Sequence, residues 1–183
     1  DLNYSRVHVI LLTAKTNIQS KIEGMELGAD AYIEKPFSVE YLQACASNLI
    51  QNREKLRRTF AQSPFVAANT MALTKADEDF IKRLNEVILA NLNNPEFSMD
   101  DIADSLNMSR SNFYRKIKGV LDLSPNEYLR LERLKKAAQL LKEGEGRVTE
   151  ICYMVGFNSP SYFAKCFQKQ FGVLPKDFCK NGS

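Results

Sequence analysis

Apolar and polar positions along the chain change rhythm near residue 60. Val7-His8-Val9-Ile10-Leu11-Leu12 is almost continuously apolar and too short for a typical helix, which predicts a buried strand of parallel type. Ile18, Ile22 and Met25 then recur at helical spacing, with Gly28 as a stop. Ala31-Tyr32-Ile33 reads as a second short strand, closed by Lys35-Pro36. Ser38 is placed to cap a helix in which Tyr41, Leu42, Cys45, Leu49, Leu56 and Phe60 keep the helical period. Residues 7–60 therefore predict β-α-β-α, a piece of a doubly wound sheet.

Residues 61–73 carry no charge and one proline, and read as a linker. Beyond them every periodic segment is helical. Thr74 with Asp77, Ser98 with Asp101, and Ser109 each start a helix. Ser124-Pro125-x-Glu127 is a further start, with a cap, a proline at the first helical position and an acid at the third. That helix runs to Gly144, and two more follow near 148–155 and 160–171. The expected fold is mainly α, a partial α/β segment followed by an all-α domain.

One pattern occurs twice in the helical part. Ile102-Ala103-x-x-Leu106-Asn107-Met108-Ser109-x-Ser111-x-Phe113-x-x-x-Ile117 is matched by Ile151-Cys152-x-x-Val155-Gly156-Phe157-Asn158-Ser159-x-Ser161-x-Phe163-x-x-x-Phe167, with one extra residue in the second turn. Each copy predicts a short helix, a tight turn at Asn107 or Gly156, and a capped second helix. This is a helix-turn-helix arrangement, present twice. Phe113 and Ile117 lie one turn apart and should face the core. Ser111, Asn112, Arg115 and Lys118 then fall elsewhere. In the second copy Phe163 and Phe167 point inward, leaving Ser161, Tyr162, Lys165 and Lys169 outside. The stripe Tyr128, Leu131, Leu134, Ala138 and Leu141 suits a helix that packs against both copies. At about 1.5 Å per residue that helix spans about 29 Å, near the about 34 Å between successive major grooves.

The chain has 183 residues and a net charge of +3, which excludes neither class of partner. Its distribution says more. Residues 75–104 hold three Lys/Arg against eight Asp/Glu, and residues 105–142 hold nine against three. Residues 109–118 carry four basic side chains and no acid. A basic block beside hydroxyl-rich caps predicts a duplex-binding face, with phosphate contacts supplying affinity and base edges supplying specificity. Arg115 is the best candidate for guanine, because its guanidinium fork matches O6 and N7 together.

Other chemistry finds little support. The four cysteines, at 45, 152, 166 and 179, form no Cys-x-x-Cys, and His8 is the single histidine, so no zinc site and no Cys/His nucleophile can be assembled. No Gly-rich phosphate loop exists. An enzyme is disfavoured for this chain, no cofactor or small-molecule substrate is implied, and the cysteines read as reduced cytosolic thiols. A protein-binding module is a further reading, against which the basic helix at 109–118 speaks. No apolar run reaches the about 20 residues of a membrane span. The chain opens on Asp1, which suggests a piece of something longer.

Residues about 75–178 resemble the AraC-type DNA-binding domain. Ile102-Ala103, Ser109 to Lys118, Ser124-Pro125-x-x-Tyr128, Arg133-x-x-x-Ala137, Leu140-Leu141 and Gly156-Phe157-x-Ser159-x-Ser161-Tyr162-Phe163-x-x-x-Phe167-x-x-x-Phe171-Gly172-x-x-Pro175 carry the likeness. The resemblance implies double-stranded DNA as partner, with a second helix from each unit in the major groove. Ser111, Asn112, Tyr114 and Arg115 would face bases from the first unit, and Ser161, Tyr162, Ala164 and Lys165 from the second. Ser109, Arg110, Lys118, Ser159 and Lys169 would meet the backbone. Ala164 offers only a methyl group and Pro160 lacks a backbone donor, so the second unit should read less sequence.

Residues 1–60 resemble the C-terminal part of a response-regulator receiver. Leu11-Leu12-Thr13-Ala14-Lys15, Gly24-Met25-x-x-Gly28-Ala29-Asp30-Ala31-Tyr32 and Lys35-Pro36-Phe37 carry this likeness. It implies Thr13 and Tyr32 as switch residues, Lys35 as a phosphoryl contact and a cis Lys35–Pro36 bond. Asp30 precedes the last strand and is not the phosphoacceptor. Only two of a receiver's five strands are present, which should leave sheet edges and apolar surface exposed. Together the two resemblances imply the output end of a two-component phosphorelay, of the hybrid type most nearly. A histidine kinase module would share the parent chain, a membrane anchor being compatible with that parent, with these domains in the cytoplasm. Phosphorylation would pair two chains through the receiver or its last helix, giving a homodimer.

Overall fold

The computed structural model describes residues 7–14, 19, 22–24, 28–72 and 74–178, which form two compact units divided between residues 57 and 58. Gln19 and residues 22–24 are helical, and the rest of the helix expected over 17–27 lies outside the described residues, as do Lys15, Met25 and Cys179.

In the first unit β1 (Ile10–Thr13) and β2 (Ala31–Glu34) pair in parallel, with Leu11 opposite Tyr32 and Thr13 opposite Glu34. The crossover between them returns through Gly24, which is buried, and Ala29, 8% exposed. Only one face of this pair is well covered. Ile33 is 2% exposed, but Val9 and Leu12 are 41% and 40% exposed. The expected burial of the first strand is thus not met. Two strands offer too little neighbouring surface to enclose an apolar run on both faces. α1 (Val39–Gln62) opens where Tyr41 N donates to Ser38 Oγ, at 3.1 Å.

The second unit is all helical. α2 (Lys75–Ala90), α3 (Met99–Ser105), α4 (Arg110–Leu121), α5 (Pro125–Glu143), α6 (Val148–Met154), α7 (Pro160–Phe171) and α8 (Pro175–Phe178) follow in order. Their starts are the capped ones read from the sequence. Thr74, Ser98, Ser109, Ser124 and Ser159 each accept from the amide three residues on. At Ser98 and Ser124 the third-position acid answers by accepting the cap residue's own N–H, which closes a capping box.

α5 is the spine. Tyr128, Leu131, Leu134, Ala138 and Leu141 are all buried, and the helix touches α4, α6, α7 and α8. The first helix-turn-helix, α3–α4, packs through Ile102, Phe113 and Ile117. The second, α6–α7, is built on aromatic rings. Phe163 lies 5.2 Å from Phe157 and 5.7 Å from Phe167, and Phe167 lies 4.9 Å from Phe171. Offset and edge-to-face rings at these separations hold a small unit that has few aliphatic side chains.

The segment expected to be a linker is more ordered than its composition suggests. α1 continues to Gln62, and Ala68–Met71 form a 3-10 turn. Phe60, Ala68 and Met71 are buried, at 1%, 3% and 0% exposed. Phe60 stacks on Tyr128 at 6.4 Å, and Gln170 Nε2 donates to Ala61 O at 2.9 Å. Of this segment Ala68 and Met71 join the core of the helical unit, while Phe65 is 55% exposed.

Candidate nucleic-acid interface

α4 and α7 occupy equivalent places, each entered through a tight turn. Asn107 has φ 54° and Gly156 φ 78°. A Cβ on Gly156 would stand 2.3 Å from Leu92 O and 3.0 Å from the Arg133 guanidinium, so space as well as backbone conformation requires glycine there. In the first turn Asn, whose αL cost is low, suffices.

The periodicity sorted α4 correctly with one exception. Ser111 and Arg115 are exposed, and Asn112 and Tyr114 are half-buried at the same surface. Arg115 Nη2 donates to Asn112 Oδ1, which holds the guanidinium against the helix surface. Arg110 stands over the Tyr114 ring at 5.6 Å and pairs with Asp100, Nη1 to Oδ2, at 3.2 Å. The exception is Lys116, counted above among the basic residues of this face. It is buried and paired with Asp77 of α2. The heptad of α4 turns position 116 toward α2, and a long side chain with an acid at its end can be accommodated there. Three cations of this segment, not four, face outward. Lys118 lies at the far end of α4, where its ammonium donates to Asp122 O at 2.8 Å and pairs with Asp122 Oδ1 at 3.1 Å.

On α7, Ser161, Tyr162, Lys165 and Lys169 are exposed and Ala164 is half-buried. Tyr162 packs on Phe157 with ring centroids 6.1 Å apart. Ser109 and Ser159 are both caps, with Asn112 N and Tyr162 N donating to them at 3.4 and 3.3 Å. Pro160 is the first helical residue of α7. A missing N–H costs the helix itself nothing at that position.

Between the two helix-turn-helices, within the helical unit, lies a cleft of about 610 Å³, with Arg110 and Tyr114 on one wall, Tyr162 on the other and Asn126, Arg130 and Arg133 from α5 as its floor. Among the described residues Asp100 is the only carboxylate lining it. The sequence reading missed this set. The signal was available: positions 126, 130 and 133 fall off the buried stripe of α5. Arg133 is occupied in structure, its Nη2 donating to Asn94 O at 2.7 Å, and burial lowers its pKa.

In the other unit, Thr13 and Lys35 meet at the strand ends, where Lys35 N donates to Thr13 O at 2.8 Å. Lys35 is exposed, Thr13 and Tyr32 are half-buried, and the Lys35–Pro36 bond is cis. Asp30 is engaged by the backbone, accepting from Val9 N at 2.7 Å through Oδ2.

A family model described as "Helix-turn-helix domain" matches residues 102–181. The chain is 30% identical to the C-terminal domain of AraT, a response regulator from Geobacillus stearothermophilus, over 55% of this chain and 83% of that one, with a TM-score of 0.50. The chain belongs to the AraC-type helix-turn-helix family. An AraC-type DNA-binding domain protein from Chromobacterium violaceum shares the fold, at TM-score 0.56 and 24% identity over 60% of this chain and 97% of that one. Histidine kinase P4 of Formosa agariphila is 35% identical over 97% of the chain, and the regulator MtrA of Neisseria gonorrhoeae is 36% identical over 55% of it. The chain spans 13% and 34% of the lengths of these two relatives. MtrA is named an HTH-type transcriptional regulator. No helix among the described residues is long and apolar enough to cross a membrane.

Proposed function

We propose that this chain is the output end of a two-component phosphorelay, a sequence-specific regulator that holds two helix-turn-helix units in successive major grooves of double-stranded DNA. The observation that carries the reading is the duplication itself. α4 and α7 present exposed polar and basic side chains from one body, joined by the 19-residue α5. Ser111, Asn112, Tyr114 and Arg115 read bases from α4; Ser161, Tyr162, Ala164 and Lys165 read from α7. Ser109, Arg110, Lys118, Ser159 and Lys169 meet the backbone.

In this reading residues 1–60 are the C-terminal part of a receiver, 61–73 the connection and 74–180 the DNA-binding domain. Thr13, Tyr32 and Lys35 are the receiver's switch residues, and a homodimer forms through the receiver or its last helix. The 35% identity to Histidine kinase P4 across nearly the whole chain supports a hybrid parent with its kinase in the same polypeptide and these domains in the cytoplasm. Two paired output domains then bind paired sites with an affinity raised by effective concentration.

Selection from a random duplex library with the whole chain, at two salt concentrations, tests this. A motif of two blocks about one helical turn apart is expected. Binding that is sequence-blind at both salts would remove the two-headed reading, and no binding at low salt would remove DNA as the partner.

A further inference from the structure

The cleft between α4 and α7 has a composition that its two walls do not explain. Arg110, Arg130 and Arg133 line it against the single carboxylate Asp100. Arg110 and Arg133 each have a partner, Asp100 and Asn94 O respectively. Arg130 is exposed and makes no hydrogen bond among the described residues. The half-turns of α5 on either side of it bury Leu129 and Leu131, so its place on the helix is fixed while its guanidinium stands in solvent. Glu127, on the same helix, feels the Arg130 charge, which helps to lower its pKa, but its carboxylate spends its hydrogen bonds on Ser124, accepting from the amide at 2.8 Å and the hydroxyl at 2.7 Å. Arg130 is thus a positioned cation with its hydrogen-bonding fork unused.

We infer that this cleft seats a backbone phosphate, with Arg130 as the arm that grips it and Arg110 as the second donor once released from Asp100. The inference rests on the DNA-binding reading. With α4 and α7 in successive major grooves, the sugar–phosphate backbone between those grooves must pass the floor that α5 provides. A guanidinium matches two phosphate oxygens at once. Asn126, exposed in the first turn of α5, adds an amide donor at the same floor. Arg133 is not part of the grip, because its guanidinium is held to Asn94 O and packed beside Gly156.

The test compares the whole wild-type chain with Arg130→Ala and Arg130→Lys on a selected duplex and on an unrelated one, across a salt series. Arg130→Ala should lose affinity several-fold on both duplexes alike, and the slope of log K against log salt should fall by about 0.9, the value of one phosphate. Arg130→Lys should keep the slope while losing part of the affinity. Urea midpoints equal to wild type would show that the fold is intact, since the side chain is exposed. An unchanged slope in Arg130→Ala, with wild type binding normally, overturns the inference alone. So does a loss confined to one base pair, which would make Arg130 a base reader. Inorganic phosphate that raises the urea midpoint of wild type but not of Arg130→Ala, with the DNA slope unchanged, would instead assign the cleft to a free anion and overturn it too. Failure of the wild type to bind any duplex overturns the functional reading, and this inference with it.

Discussion

Lys116 of α4 and Asp77 of α2 form a buried ion pair, at 8% and 1% exposure, that ties the second helix of the first helix-turn-helix to the start of α2. Asp77 stands at the third position of α2, where the helix dipole also favours a negative charge. Its Oδ2 is buried without a hydrogen bond among the described residues. Removing one member strands the other charge out of water. Asp77→Ala should therefore cost about 3–5 kcal/mol, while Asp77→Leu combined with Lys116→Met should recover most of it. Urea denaturation of wild type and these two variants measures this. A single-mutant loss under about 1 kcal/mol would mean that water reaches the pair.

The connection from α1 to α2 contributes to the same core, so a domain cut at residue 74 should suffer. Phe60 and Met71 are buried side chains of the helical unit, and each such group is worth about 2–5 kcal/mol on removal. Residues 58–183 should unfold at a clearly higher urea concentration than residues 74–183. Equal midpoints would show that these contacts contribute nothing to stability.

What the sequence displayed and what it concealed divide on a physical line. Helix starts were legible because a cap is a local event: Ser98 with Asp101 and Ser124 with Glu127 announce themselves within four residues. The two turns were legible because only a few residue types adopt αL cheaply. Lys116 was not, since its partner is 39 residues away and periodicity cannot separate a buried lysine from a surface one. The burial of Ala68 and Met71 was not, because absence of charge in 61–73 does not say which of its residues pack inward. The cleft was missed because it arises between elements: Arg110, Arg130 and Tyr162 come from three helices that no single pattern joins.

Gly156 offers a test of close approach against backbone strain. Gly156 and Gly172 share almost the same φ, 78° and 79°, but a Cβ at Gly172 meets nothing within 4 Å. Gly172→Ala should cost only the αL penalty, about 1–2 kcal/mol. Gly156→Ala adds a collision with Leu92 O and the Arg133 guanidinium, so its loss should exceed that of Gly172→Ala by at least about 1 kcal/mol. Thermal unfolding of both variants decides it, and equal losses would show that the turn yields without cost.

Lys135 makes stability depend on pH in the alkaline range. Its ammonium donates to Val66 O and lies 3.7 Å from the centre of the Phe60 ring, clasping the connection to α5. Burial lowers its pKa from 10.5 to about 8, against the pull of the Glu132 carboxylate, which burial in turn raises. Between about pH 8 and 10.5 the unfolded chain still holds the proton that the folded chain has released. Stability contributed at this position therefore rises with pH across that window, and the charged form weighs against folding below it. The unfolding free energy of wild type minus that of Lys135→Met should climb by up to about 3 kcal/mol over the window, at about 1.4 kcal/mol per unit. A flat difference would mean that the ammonium is as well solvated folded as unfolded.

Arg115 and Asn112 should act as one reading device. The hydrogen bond from Arg115 Nη2 to Asn112 Oδ1 limits the rotamers of a long side chain before any duplex arrives. Ordering such a side chain on binding otherwise costs about 0.5–1.5 kcal/mol. Arg115→Ala should lose about 1–3 kcal/mol on the selected duplex and relax preference at one base pair. Asn112→Ala should relax preference at that same base pair through the freed arginine, with a smaller loss. If the two act together, the double variant loses less than the sum of the singles. Competition binding against duplexes altered at each position supplies all the terms of this cycle. Strictly additive losses, or preferences relaxed at two unrelated positions, would make Asn112 an independent reader and not the residue that positions Arg115.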